Sequence, residues 1–204
     1  AVSNALQTNG LLLDEEWCRL FHDYHVLVGL SLDGPADFHD AVRRFPNGRG
    51  TWSRVMEAAR LMDRCGVEYN ILCVVNAGNV DLGADLLRWF VGEGFPFVQF
   101  IPCLEPGLKY NVRPDRFARF LCDTFDYWAG EGFGKVSVRD FDALLGYHMG
   151  HPTQLCTFGR RCENYVVIEH TGDVYPCDFF VYDEWKLGNV MEAPLESFLQ
   201  HEKY

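Results

Sequence analysis

Basic residues are scarce in this sequence: Lys and Arg number 18 against 29 Asp and Glu, a formal net charge of -11. A surface with that balance repels a phosphate backbone, so nucleic acid is a poor partner. Long apolar runs are lacking too, and none reaches the length that spans a bilayer. The opening AVSNALQTNG has neither the basic flank nor the apolar stretch of a secretory leader. No membrane association is expected, and the expected compartment is the cytoplasm. There is no initiator Met either; the first residues read like the interior of a domain, and a piece of a longer protein is expected. Short C-x-x-C clips, the common signature of closed zinc sites, do not occur.

What is present has a globular make-up. With 48% hydrophobic and 23% charged residues, 204 residues suffice to bury a substantial core. The eight cysteines form two populations. Cys18, Cys65, Cys73, Cys103 and Cys122 lie in apolar or amphipathic surroundings such as ILCVV and RFLCDTF, where a free thiol acts as a small core hydrophobe. Neither an export signal nor a small loop-rich chain argues for disulfides. Cys156, Cys162 and Cys177 differ, standing among Gly, Arg and turn residues in CTFGRRCENYVVIEHTGDVYPCDFF.

Periodicity predicts a repeated unit. Apolar runs of strand length occur at VLVGLSL (26–32), YNILCVV (69–75) and FPFVQFI (95–101), with a shorter one, ALQ, near the start. Each precedes a helical pattern. DEEWCRLFHDY opens on acidic residues suited to a first turn, and TWSRVMEAARLMDRCG offers Thr51 as N-cap and Gly66 as stop. Helices are also predicted in NVDLGADLLRWFVGEG and RPDRFARFLCDTFDYWAGEG. Alternation of strand and helix with near-continuous apolar strands predicts an α/β fold, a parallel sheet with helices outside it. In such folds chemistry gathers at the C-terminal strand ends. Those ends read Gln7-Thr8-Asn9-Gly10, Ser31-Leu32-Asp33-Gly34-Pro35, Val75-Asn76 and Ile101-Pro102. The same residue types are also ordinary turn formers.

Beyond about residue 150 the pattern changes to a small β unit, in which VVIEHTGDVYP predicts a hairpin turning at Thr171-Gly172. The hairpin delivers Cys177, and the loop before it carries Cys156 and Cys162. Three thiolates select a soft metal. Zinc completed by His148, His151 or His170 and an iron-sulfur cluster are both compatible with the spacing.

The strings QTNG, GLSLDGPADFHDAVRR, GTWSRVMEAA, NILCVVN, QFIPCLEP and CTFGRRCENYVVIEHTGDVYPCDFFVYDEWKLGNV occur in this order through essentially the whole chain. In this the sequence resembles the anaerobic sulfatase-maturating enzymes, radical SAM proteins with a SPASM-type C-terminal domain. The resemblance implies a partial (β/α) radical SAM barrel over residues 1–150, lacking its first strands. Residues 151–204 would begin the SPASM domain, with its β-hairpin and an auxiliary cluster. It also implies an oxidoreductase using S-adenosylmethionine and [4Fe-4S] clusters. A 5′-deoxyadenosyl radical takes a hydrogen atom from the β-carbon of a Cys or Ser on a sulfatase polypeptide, and further oxidation gives Cα-formylglycine. The implied partners are the sulfatase polypeptide and an electron donor such as a ferredoxin or flavodoxin.

Residue by residue, the resemblance assigns Ser31, Arg43 and Leu104 to S-adenosylmethionine. A guanidinium suits the methionyl carboxylate, and Leu104 would contribute backbone groups. Gln7 resembles a polar residue on the substrate side. Cys156, Cys162 and Cys177 match three ligands of an auxiliary [4Fe-4S] cluster, and Asp178 matches the general base. Taken without the resemblance, these positions read as a strand-end Ser, a surface helix Arg, a core Leu, a turn Gln and a solvated carboxylate. The family's C-x-x-x-C-x-x-C loop is not in this sequence and is expected before Ala1. The remaining cluster cysteines are expected after Tyr204. The chain alone is therefore expected not to turn over. Two other readings stay open: a related SPASM enzyme that modifies a peptide, and a non-catalytic zinc or iron-sulfur domain.

Overall fold

The computed structural model describes residues 3–104, 109–152, 155–156, 159 and 165–202. It divides into two compact units, Ala1–Asp142 and Ala143–Tyr204.

The first unit is built on a five-stranded parallel sheet, β1 (Ala5–Thr8), β2 (Leu27–Ser31), β3 (Tyr69–Val75), β4 (Phe97–Pro102) and β5 (Ser137–Val138), in the order β1-β2-β3-β4-β5. Spatial order equal to chain order means the winding never reverses. With right-handed crossovers, the helices then lie on one face, as in a barrel segment. The strand residues agree: Val28, Leu30, Ile71, Cys73, Val98 and Phe100 share one face by alternation and register and are buried. The opposite face carries Gln7, Ser31, Asn70 and Gln99.

The crossover helices form for local reasons. In α1 (Glu15–Asp23), Asp14 accepts from the Trp17 N–H, acidic residues occupy the first turn, and Cys18 and Phe21 face the core. The chain then runs through β2 into α2 (Ala36–Val42) and α3 (Trp52–Cys65), which stops at Gly66 in the left-handed conformation, φ 66°. Thr51, expected to cap α3, makes no side-chain cap bond. Its hydroxyl is engaged elsewhere, and Asp40 accepts from the Trp52 N–H at 2.8 Å in its place. Next come α4 (Gly83–Gly92) and α5 (Pro114–Tyr127), which opens on a proline and runs into a π-helical turn, Trp128–Gly132. Trp128 donates its indole N–H to the Val136 carbonyl at 2.9 Å and so anchors the approach to β5. Helix α6 (Arg139–His148) crosses the division between units. Helices α2 and α6 and strand β5 are short or weakly periodic and were not among the predicted elements.

The second unit has its own small sheet, β6 (Val167–Ile168), β7 (Asp173–Tyr175) and β8 (Gly188–Asn189), all antiparallel. It packs around Val174, Leu187 and Phe198, the last on α7 (Leu195–Phe198). The predicted hairpin turns at Thr171-Gly172, with Gly172 at φ 86°. The third strand was not foreseen. Asn189 fixes it by donating to the Thr171 carbonyl at 3.1 Å and to Asp173 at 2.8 Å, and Lys186 reaches the same carboxylate at 2.6 Å.

Candidate functional site

At the C-terminal end of β2, Ser31 is half-buried on the face away from the helices. One residue later the strand parts from β3. The Leu32 N–H still bonds the Leu72 carbonyl at 3.1 Å, but the next β3 donor, the Val74 N–H, is taken by the Asp33 carboxylate at 2.9 Å. That carboxylate also holds Arg43, from Nε to Oδ2 at 2.6 Å and from Nη2 to Oδ1 at 3.2 Å. The side chains of Asp33 and Arg43 are 2% and 28% exposed. A bidentate pair of this kind has a fixed orientation. It uses two of the five guanidinium N–H groups, and among the described residues no group accepts from the other three. Arg43 is thus not the surface helix residue that its pattern alone suggests.

Behind this pair sits His39, fully buried on α2. Its Nδ1 accepts from the Asp33 N–H at 3.2 Å, which leaves the ring proton on Nε2, 3.0 Å from Thr51 Oγ1. The Thr51 hydroxyl therefore accepts from His39 and donates to the Arg43 carbonyl at 3.1 Å. Burial holds the His39 pKa below the usual imidazole value; the Asp33 charge works in the opposite direction.

The other strand ends divide between exposed and inward uses. Gln7 is exposed on β1. Asn76 is buried in a local turn, accepting from the Gly78 N–H at 2.8 Å. With Asn79, which accepts from the Asn76 N–H at 2.8 Å, it shapes the loop after β3. Leu104 follows β4 and is 54% exposed, so it does not belong to the core.

In the second unit, Cys177 has extended backbone and precedes a short 3₁₀ turn, Asp178–Phe180. Tyr165 donates its hydroxyl to Asp178 Oδ1 at 2.6 Å, and the Tyr165 hydroxyl oxygen lies 3.5 Å from Cys177 Sγ. The Cys177 thiol is 3.3 Å from Asp178 Oδ1, a bond that exists only while the sulfur carries its proton. Asp178 is exposed, and the Tyr165 hydroxyl is the main reason its carboxyl lies below the ordinary carboxylate range. The same bond pushes the Tyr165 pKa up. Cys156 is half-buried, and Cys162 lies outside the described residues. Among the described residues, no three His, Cys, Asp or Glu side chains gather to hold a metal ion. His148, His151 and His170 are exposed.

Asp33, His39, Thr51 and Tyr165 were missed as site residues. The four-residue spacing of His39, on α2, and Arg43, which caps that helix, was the available signal for two polar side chains on the same side of it.

Residues 2–82 match the family described as the radical SAM superfamily, and residues 156–204 match an iron-sulfur cluster-binding domain, SPASM. A serine-type anaerobic sulfatase-maturating enzyme of Bacteroides thetaiotaomicron is 34% identical, over 99% of this chain and 54% of the relative. A cysteine-type enzyme of Clostridium perfringens is 37% identical, over 99% of this chain and 57% of the relative. The solved structure of native anSMEcpe with bound AdoMet superposes with a TM-score of 0.92 at 36% identity, covering 98% of this chain and 57% of that one. The chain thus spans little more than half the length of the curated relatives it matches. The fold and both family matches thus align residues 2–82 with the radical SAM superfamily and residues 156–204 with SPASM domains, and over nearly its whole length the chain is similar to anaerobic sulfatase-maturating enzymes.

Proposed function

We propose that this chain is part of a radical SAM oxidoreductase that converts a Cys or Ser of a sulfatase polypeptide into Cα-formylglycine. The observation that carries the reading is the Arg43 guanidinium beside the end of β2, fixed along one edge by Asp33 with three N–H groups left for an anion. A carboxylate meets that edge with paired, charge-assisted hydrogen bonds, the geometry in which Arg surpasses Lys. Arg43 would hold the methionyl carboxylate of S-adenosylmethionine, with Ser31 and the backbone after β4 at Leu104 as further contacts. When bound, S-adenosylmethionine and its reduced [4Fe-4S] cluster supply the radical that removes a hydrogen atom from the substrate β-carbon.

Cys156, Cys162 and Cys177 would hold an auxiliary [4Fe-4S] cluster, since a set of thiolates suits iron and sulfide. Tyr165 orients the Asp178 carboxylate and holds it ionised, so that it accepts the proton of the substrate thiol or hydroxyl as the carbon is oxidised. Electrons would come from a small donor protein such as a ferredoxin or flavodoxin. The described cysteines are free thiols, which fits the reducing cytoplasm.

The test uses the protein containing this chain, reconstituted anaerobically with iron and sulfide and given S-adenosylmethionine, dithionite and a sulfatase peptide carrying Cys or Ser. Formylglycine, read by mass spectrometry, is expected on at least one peptide. Its absence from both sinks the reading. Asp178→Asn is expected to lose most of the product; an unchanged yield removes Asp178 as the base. Cys156→Ala/Cys162→Ala/Cys177→Ala is expected to bind less iron than the parent.

A further inference from the structure

We infer that His39 is a positioning residue for the carboxylate of S-adenosylmethionine: as the Nε2–H tautomer it closes a hydrogen-bonded ring that aims the Arg43 guanidinium. This rests on the reading that Arg43 binds that carboxylate. The ring has four members. The Asp33 N–H donates to His39 Nδ1 at 3.2 Å, and His39 Nε2 donates to Thr51 Oγ1 at 3.0 Å. The Thr51 hydroxyl donates to the Arg43 carbonyl at 3.1 Å, and the Arg43 side chain returns to the Asp33 carboxylate at 2.6 and 3.2 Å. The Arg43 N–H is held as well, by the His39 carbonyl at 2.9 Å.

Each link is determined by its neighbour. A backbone N–H only donates, so Nδ1 accepts; Nε2 then carries the proton, and Thr51 has only its own proton left to give. His39, Thr51 and Asp33 are at most 4% exposed, so water does not substitute for a lost partner. Arg43 stands at the C-terminal end of α2, a helix of only seven residues with no side-chain N-cap. Little in α2 itself fixes the direction of its last side chain. The connection to α3 is closed from the other side by Asp40, which accepts from the Trp52 N–H at 2.8 Å and lies where a Cβ at Gly50 would stand. Protonating Nδ1 would set donor against donor at Asp33 and open the ring. The charged groups acting on His39 are Asp33 and Asp40, which favour that protonation, and Arg43, which opposes it.

The experiment measures dissociation constants of the reconstituted protein containing this chain for S-adenosylmethionine and for its decarboxylated analogue, by equilibrium dialysis. A role confined to stability weakens both ligands alike. Positioning of Arg43 weakens S-adenosylmethionine selectively, and His39→Leu is expected to lower its preference over the analogue about tenfold. His39→Asn, which keeps an acceptor near Nδ1, is expected to recover part of that preference. Thr51→Val removes both bonds of the Thr51 hydroxyl while leaving His39 in place and is expected to lower the preference several-fold, so the inference does not hang on one variant folding. If Arg43→Ala leaves the preference unchanged, the assignment of Arg43 falls, and this inference with it. If Arg43→Ala abolishes the preference while His39→Leu and Thr51→Val keep it, only the role of His39 is overturned.

Discussion

Asp33 and Arg43 are joined by two hydrogen bonds, 2.6 and 3.2 Å long, on a carboxylate that also takes the Val74 N–H where the β2-β3 ladder ends. One carboxylate therefore completes the sheet edge and orients the Arg43 guanidinium. Placing an aspartate there costs desolvation, which three hydrogen bonds from an N–H and a cation offset.

Asp33→Asn keeps an acceptor for Val74 and removes the charge facing Arg43. The variant is expected to lose about 3 kcal/mol of stability, because a guanidinium largely removed from water is left without its counter-charge. Urea unfolding of both proteins measures this, and a difference within error shows that Arg43 turns out to solvent at no cost.

Stability is expected to fall as pH drops below 6.5, the ordinary imidazole value. Burial lowers the His39 pKa in the folded chain, so between that lowered value and 6.5 the unfolded chain binds the extra proton. Stability therefore rises with pH across this window and levels off above it. Unfolding midpoints of parent and His39→Leu, taken from pH 5 to 7.5, should show a shallower acid slope in the variant.

Thiol reactivity should separate the cysteines. Burial, reinforced by Cys65 and Asp14, pushes the Cys18 thiol up to about 11, so at pH 8 roughly a thousandth of it is thiolate. Cys73 is fully buried, which holds its thiol well above the ordinary value, whereas Cys122 is exposed. In a timed iodoacetamide reaction read by peptide mass mapping, Cys122 is expected to label first, with Cys18 and Cys73 blocked until the chain unfolds.

Gly83 is required for the approach of α4 to α5. A Cβ there would stand 2.5 Å from the Phe120 carbonyl oxygen, which is backbone and cannot rotate away. Gly83→Ala is expected to destabilise by about 1–3 kcal/mol, despite the better helix propensity of Ala. Thermal unfolding checks this, and a gain in stability would contradict the packing of these two helices.

The hairpin around Thr171-Gly172 and strand β3 were legible because each is encoded by neighbours in sequence, an alternation or a turn pair. Residues Tyr69–Val75 form a strand at the predicted boundaries. Strand β8 was not legible, since Gly188-Asn189 becomes a strand only through its pairing with β7. Beside the end of β2, Arg43 was singled out through its motif, and Asp33 appeared only as one of several polar strand-end residues that are also ordinary turn formers. A carboxylate that bonds residues 10 and 41 positions away has no local signature.

Apolar periodicity therefore specified β1 to β4, helices α1, α3, α4 and α5 and the change of character near residue 150, because burial of alternate or every third and fourth side chain is written in the chain itself. The resemblance of its motifs named the family. The ring through Asp33, His39, Thr51 and Arg43 came only with folding, when α2, the start of α3 and the ends of β2 and β3 met. Its buried donors and acceptors are satisfied by one another and by the Val74 N–H, and that closure fixes how the Arg43 side chain meets Asp33.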